Sequence, residues 1–227
     1  MYIYPAKDKT RKVIKKIGQD TGSRVCWSLA YANGYLWKMD SCNLFKINPD
    51  NGTFKEISFH AETMDKPRGL AWDGKYFWVL DYGTLKINKF KVENDQLKVY
   101  ESFDIPEKEK GGTSGITVDD NYIYVAGRDS SYINKLDKKG RFIEKINLPH
   151  ASPGPLLWTG NYFWTIGGPR GLVKLSKDWK VFGSIYPPAE GVWAMAWDGK
   201  YLWCLMRTSE MWDDPKIYKV EILDDSL

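Results

Sequence analysis

The chain has 227 residues, 43% hydrophobic and 15% aromatic with 11 tryptophans, which excludes disorder for the bulk and supplies a large core. Its 33 basic and 29 acidic residues leave a net charge of +4, without the basic stripe of a nucleic-acid groove, so nucleic acid is not an expected partner. No run reaches the roughly 18 apolar residues of a membrane span, and residues 1–5 followed by charges do not make a secretory leader; a soluble, cytoplasmic monomer is expected.

Residues 1–10 read as an extension and 11–227 as one domain. Arg11 to Gly18 reads as a lone strand, Lys12-Val13-Ile14-Lys15-Lys16-Ile17, with no hairpin partner of its own. The basic residues from Lys7 to Lys16 are its solvated face. A motif then appears as Leu29-Ala30-Tyr31 with Asn33-Gly34-Tyr35-Leu36-Trp37, and returns in full as Leu70-Ala71-Trp72-Asp73-Gly74-Lys75-Tyr76-Phe77-Trp78. It recurs from Ile116 to Tyr124, as Leu156-Leu157-Trp158 with Gly160-Asn161-Tyr162-Phe163-Trp164, and as Met195-Ala196-Trp197-Asp198-Gly199-Lys200-Tyr201-Leu202-Trp203. Its tyrosines, at 35, 76, 122, 162 and 201, are spaced by 41, 46, 40 and 39 residues. A period of about 40 to 45 is that of four-stranded propeller blades.

Each copy is a β-hairpin, two alternating apolar runs around Asp-Gly or Asn-Gly, dipeptides that tolerate positive φ at both turn centres. Leu70 and Trp72 point to one side of the first strand, Gly69 and Ala71 to the other, and the small side lets the next blade approach. A third strand such as Leu44 to Ile47 and usually a fourth follow. The predicted blades are 27–58, 69–103, 115–147, 155–185, and 193–222 joined by 11–18. The fold class is therefore all-β, a five-bladed β-propeller of four antiparallel strands per blade, its last blade closed by the N-terminal strand so that no seam stays open.

Seven tryptophans, at 37, 72, 78, 158, 164, 197 and 203, occupy repeated positions and are assigned to the core. Trp179 falls in a turn on the hairpin face. Trp27 and Trp193 stand immediately before the innermost strand, where Arg68, Ser114 and Gly154 stand in the other copies, so these five should ring one channel mouth. Two tryptophans beside an arginine would make a platform for a sugar, a planar ring or a proline-rich peptide, or else a plug. Arg128, Arg170 and Arg207 follow the second strands of three blades and, with Trp212, complete the candidate ligand-binding set on that face; a cationic arc there would suit an anionic or zwitterionic ligand.

Asp40 and Asp81 share one place at the end of the second strand and are the catalytic alternative, a carboxylate pair, unless each caps a turn. His60, His150 and Glu190 lie in fourth-to-first loops of blades that do not all adjoin. Three cysteines, Cys26, Cys42 and Cys204, lack zinc-ligand spacing, so no metal or other cofactor is expected; Cys26 and Cys42 could pair only in an oxidising compartment. No phosphate-binding, dinucleotide or serine-hydrolase signature is present.

The run Gly-Leu-Ala-Trp-Asp-Gly-x-Tyr-x-Trp-Val-x-Asp resembles the repeat of YVTN/NHL-like propellers and, more distantly, of plant-type glutamine cyclotransferases, over about the whole chain. The resemblance implies the propeller fold. The cyclotransferases carry Phe-Thr-Gln-Gly-Leu before the first blade and a catalytic Glu after the aromatic of the next strand; here Val25-Cys26-Trp27-Ser28-Leu29 and Lys38 stand in those places, so no catalytic residue carries over. The expected function is non-enzymatic binding of a small molecule, glycan or peptide at the channel mouth. The alternatives are an enzyme using acids on that face, as cyclase, lyase or hydrolase, and a protein-interaction scaffold.

Overall fold

The structure, a computed structural model, describes residues 11–17, 27–60, 63–105, 113–127, 131–148, 154–167, 171–188, 191–206 and 215–223. Within them, twenty strands form five four-stranded antiparallel sheets. Blade one holds β2 (Leu29–Ala32), β3 (Tyr35–Met39), β4 (Asn43–Ile47) and β5 (Phe54–Ser58); blade two holds β6 (Pro67–Trp72), β7 (Phe77–Asp81), β8 (Lys86–Glu93) and β9 (Gln96–Asp104). Blade three is β10 (Thr113–Val118), β11 (Tyr122–Gly127), β12 (Tyr132–Asp137) and β13 (Phe142–Asn147), and blade four is β14 (Leu157–Trp158), β15 (Phe163–Ile166), β16 (Leu172–Leu175) and β17 (Val181–Ile185). Blade five is β18 (Val192–Trp197), β19 (Leu202–Met206) and β20 (Lys216–Ile222), completed by β1 (Arg11–Ile17) antiparallel to β20, with Arg11 opposite Ile222 and Ile17 opposite Ile217. The five-bladed architecture and its closure by the N-terminal strand agree with the sequence reading.

The ring closes because each innermost strand touches the next, from β2 through β6, β10, β14 and β18 and back to β2. Each of the five seams between blades holds its own apolar cluster. β1 is also tied sideways: Arg11 donates to the carbonyls of Tyr186 and Pro187 in blade four, and Lys15 to those of Pro49 and Asp50 in blade one. The closing strand thus holds both neighbours of the blade it completes. Small residues set the distance between inner strands: a Cβ on Gly115 of β10 would meet the Gly154 carbonyl oxygen at 2.2 Å and the Leu156 nitrogen at 2.9 Å.

The repeated Trp-Asp-Gly has one physical purpose. Asp73 accepts the turn amides of Lys75 and Tyr76 at 2.9 and 2.7 Å through Oδ1, and the Trp78 indole N–H at 2.7 Å through Oδ2. Asp198 repeats this with Lys200, Tyr201 and Trp203 at 2.9, 2.7 and 2.8 Å. In blade three Asp119 holds Asn121, Tyr122 and the Tyr124 hydroxyl, and in blade one the Ala32 carbonyl accepts from the Trp37 indole at 3.2 Å. The carboxylate closes the turn and satisfies the one polar atom of a ring buried in the seam with the following blade. The turns differ from expectation in detail. Asn33 and Gly34 alone among these hairpins have positive φ at both centres; in the Asp73 and Asp198 turns only Gly74 and Gly199 do, because the aspartate stands before the turn centre and caps it.

A second fivefold device was not visible in the motif. Directly across from the seam aromatic of each blade stands a lysine of the third strand, Lys46, Lys89, Lys135, Lys174 or Lys219. Its ammonium lies over the turn tyrosine at 4.0, 4.5, 4.3, 3.9 and 4.1 Å from the ring centroid, respectively. These cation–π contacts cover the repeated tyrosines that the spacing had singled out.

Candidate functional site at the channel mouth

The mouth is built from departures in strand pairing. In blades two, three and five the innermost strand breaks register near its start, between Arg68 and Leu70, Thr113 and Gly115, and Val192 and Ala194, the break in blade two falling one position later than in the other two. An added residue bends the strand; Ser114 and Trp193 are the unpaired residues in blades three and five, and in blade two it is Gly69, directly after Arg68. In blade one the Ser28 hydroxyl donates to the Met39 carbonyl at 2.9 Å and accepts the Met39 N–H at 3.0 Å, which fixes the segment ahead of β2 that carries Trp27. The Trp27 carbonyl then accepts from the Gly69 amide at 3.0 Å, joining blades one and two at this level.

These positions bring Trp27, Trp193 and Arg68 into one stack. The two indoles meet with ring centroids 4.8 Å apart at 31°, and the Arg68 guanidinium lies 5.4 Å from the Trp27 ring. On its other side the guanidinium lies 4.9 Å from the ring of Tyr82, a residue the sequence analysis passed over. All four side chains are half-buried. The order Trp193, Trp27, Arg68, Tyr82 makes a wall across blades five, one and two, in which a cation sits between π faces that it attracts. Tyr82 follows Asp81 at the end of β7, so the signal was its position one residue beyond the strand on the same rim.

The channel beneath is nearly shut. The space bounded by Trp27, Trp193, Leu29, Leu70, Ile116, Leu156 and Met195 is ≈ 10 Å³, at the lower edge of what one water needs. Trp27 and Trp193 thus help to leave little open space in the channel at this level.

Asp40 and Asp81 act as turn acceptors. Asp40 Oδ1 accepts from the Cys42 and Asn43 amides at 2.8 and 2.7 Å. Asp81, 1% exposed, accepts from Asp65, Gly83 and Thr84 amides at 3.1, 3.1 and 3.3 Å. Asp40 is thus held in its own turn, while Asp81 caps its turn and ties it to the Asp65 backbone ahead of β6. Ser114, expected just before the innermost strand, lies inside β10, unpaired between Thr113 and Gly115. Arg128, Arg170, Arg207 and Trp212, with Cys26, His150 and Glu190, lie outside the described residues; His60 and Cys42 are exposed.

Lys38 is a further departure. It is 1% exposed, sits in the seam between blades five and one opposite Leu29, and has its ammonium 5.5 Å from the Phe45 ring. Val79, Val125, Thr165 and Cys204 occupy its place in the other blades. The last is a thiol that full burial pushes up to about 12, only slightly offset by the charge of Arg11.

At the other end of the channel a space of ≈ 90 Å³ is lined by Tyr31, Trp72, Trp158 and Trp197 among others. These three tryptophans, expected in the core, are half-buried where they line this space. Trp179 holds a turn at φ 62° on that side and stacks on Phe163 at 4.2 Å and 21°.

The family model described as SMP-30/Gluconolactonase/LRE-like region matches residues 25–166. Comparison with curated proteins finds no match. Among solved structures, the glutaminyl cyclase of Myxococcus xanthus is similar at a TM-score of 0.67 with 10% identity, over 94% of this chain and 97% of that one. The aldose sugar dehydrogenase of Streptomyces coelicolor, solved with bound PQQ, gives 0.59 with 14% identity over 96% and 99%. The virginiamycin B lyase of Staphylococcus aureus, an inactive variant solved with quinupristin, gives 0.51 with 16% identity over 90% and 69%. At such identities the likeness is one of fold.

Proposed function

Because the chain belongs to the SMP-30/gluconolactonase/LRE-like family of β-propellers, we propose that it is a ligand-binding propeller whose site is the outer surface of the wall formed by Trp193, Trp27, Arg68 and Tyr82. The observation that carries this reading is the continuous row of three rings and one cation at 4.8, 5.4 and 4.9 Å on half-buried side chains. A wall of this kind offers flat apolar area with little rotamer entropy left to lose, and a planar cation at its centre. It suits a flat or ring-shaped small molecule, a glycan unit or a short peptide, held without covalent chemistry.

A second reading is favoured by the family, whose description names a gluconolactonase, and by three enzymes among the similar folds. It makes the wall a substrate-positioning surface for hydrolysis of a cyclic sugar ester. One experiment separates the two. Ligand-observed NMR with D-gluconate, maltose and a proline-rich peptide is run on the native chain and on Trp193→Ala and Arg68→Ala variants, beside an assay of D-glucono-1,5-lactone hydrolysis. Binding of at least one probe, weakened tenfold or more by either substitution and without lactone turnover, is the expected result. Turnover above the uncatalysed rate transfers the conclusion to the enzyme, and probe binding unchanged in both variants removes the wall as a site.

A further inference from the structure

The face with the hairpin turns carries a second concavity. Between blades one and two lies a cleft of ≈ 420 Å³, within the usual range of ligand pockets and far larger than the space at the opposite mouth. It is lined by Trp72 and by the ammonium-bearing Lys46, Lys75 and Lys91, with Asn33 and Asn94 at the turns above.

One wall of this cleft departs from the repeat. β8 and β9, at 8 and 9 residues, are the longest strands of any blade, and their extra length carries Asn94 and Asp95 out over the seam in a turn with φ of 51° and 59°. The overhang is fastened across to blade one by the Asp95–Lys55 ion pair at 2.6 Å. That pair occupies the carboxylate that lines the cleft, and none of the three lysines is within ion-pair distance of a carboxylate among the described residues, although the charge of Lys91 also acts on Glu93. Their ammonium groups instead rest on rings, Lys46 over Tyr35 at 4.0 Å and Lys91 over Tyr76 at 4.7 Å. The cleft therefore combines an excess of positive charge, a half-buried indole packed on Phe77 at 4.6 Å, and two amides that both donate and accept.

We infer that this cleft is a binding site for a phosphorylated monosaccharide, its ring face on Trp72, its hydroxyls on Asn33 and Asn94, and its phosphate among Lys46, Lys75 and Lys91. The chemistry of each wall selects one part of such a ligand: an indole stacks on the apolar face of a sugar, amides match hydroxyls, and lysines bind phosphate as point charges. A neutral sugar would forgo the lysines and a free phosphate the indole.

The test is titration of the full chain with D-glucose 6-phosphate, D-glucose and inorganic phosphate at low ionic strength, followed by calorimetry and tryptophan fluorescence. D-glucose 6-phosphate is expected to bind at least tenfold more tightly than either component and to change the fluorescence. Lys75→Glu, on the surface, and Lys91→Gln, a half-buried side chain shortened without added charge, should each weaken it severalfold without moving the thermal midpoint, and Trp72→Phe should abolish the fluorescence change while keeping the fold. Trp193→Ala, on the opposite face, should leave this binding unaltered, so the outcome is independent of the channel-mouth reading. Equal affinity for phosphate and the sugar phosphate, no binding of the sugar phosphate, or binding unaffected by Lys75→Glu and Lys91→Gln would each overturn the inference.

Discussion

The two ends of the ring follow opposite rules. On the hairpin-turn face nearly everything repeats: an acceptor for the seam aromatic, a turn glycine in most blades, and a lysine over the turn tyrosine in all five. At the channel mouth the equivalent positions hold tryptophan, arginine, serine and glycine, and strand register breaks there in three blades. Repetition marks what every blade needs in order to pack on its neighbour. Departure marks what one blade does alone, and the two candidate sites, the wall of Trp27 and Trp193 and the cleft under the long β8–β9 hairpin, both lie where the repeat is broken.

The sharpest break of this comparison is at the approach between inner strands, which both ends share. Gly115→Ala sets a Cβ against backbone atoms of Gly154 and Leu156 that cannot swing away. It is expected to cost at least about 3 kcal/mol or to prevent folding, as read by urea unfolding; a loss below about 1 kcal/mol would show that the ring opens easily. Next in size is the repeated acceptor. Asp73→Ala removes two turn bonds and strands the indole N–H of Trp78, a ring 1% exposed, for about 3 kcal/mol. Asp40→Ala, which loses only two turn bonds on the mouth face, should cost about 1 kcal/mol. Equal losses in the two melts would contradict the assignment of different work to the two faces.

Between these two in size is a pH-dependent effect at a departure in mid-sheet. Burial raises the Cys204 thiol from 9.0 to about 12, so the folded chain holds that proton where the unfolded chain releases it. Its contribution is complete below pH 9 and is lost as pH rises from 9 toward 12. Stability should fall by about 2 kcal/mol from this group by pH 10.5. Tyr124 adds to the slope above its ordinary value of 10.0, because burial first and the Asp119 bond second raise its hydroxyl. Cys204→Ala should flatten the decline measured by urea unfolding between pH 9 and 10.5; an unchanged slope would mean that the thiol is reached by water.

Part of the arrangement could be read before any coordinates, since Trp27, Arg68, Ser114 and Trp193 align at one position of the repeat; the structure places Arg68, Ser114 and Trp193 inside their innermost strands and Trp27 ahead of β2. Counting does not give the order of the stack. Tyr82 entered it because the Arg68 guanidinium lies between two rings, a contact between residues 14 apart in sequence that no pattern encodes. Asp40 and Asp81 matched each other in register and suggested a pair, but each accepts hydrogen bonds locally from turn amides two and three residues on. The lysine ladder escaped notice because the lysine follows its tyrosine by unequal loops, 11 residues in blade one and 18 in blade five.

The sequence by itself determined the number of blades, their four-strand build and the circular closure, because alternation, turn residues and a fixed period are local and repeat. Only the tertiary structure decided which rings meet across seams, that the channel mouth is shut to ≈ 10 Å³, and that the long hairpin of blade two roofs a basic cleft. Those features depend on the angle and separation of neighbouring blades, and these are set by side-chain volumes packed from two sheets at once.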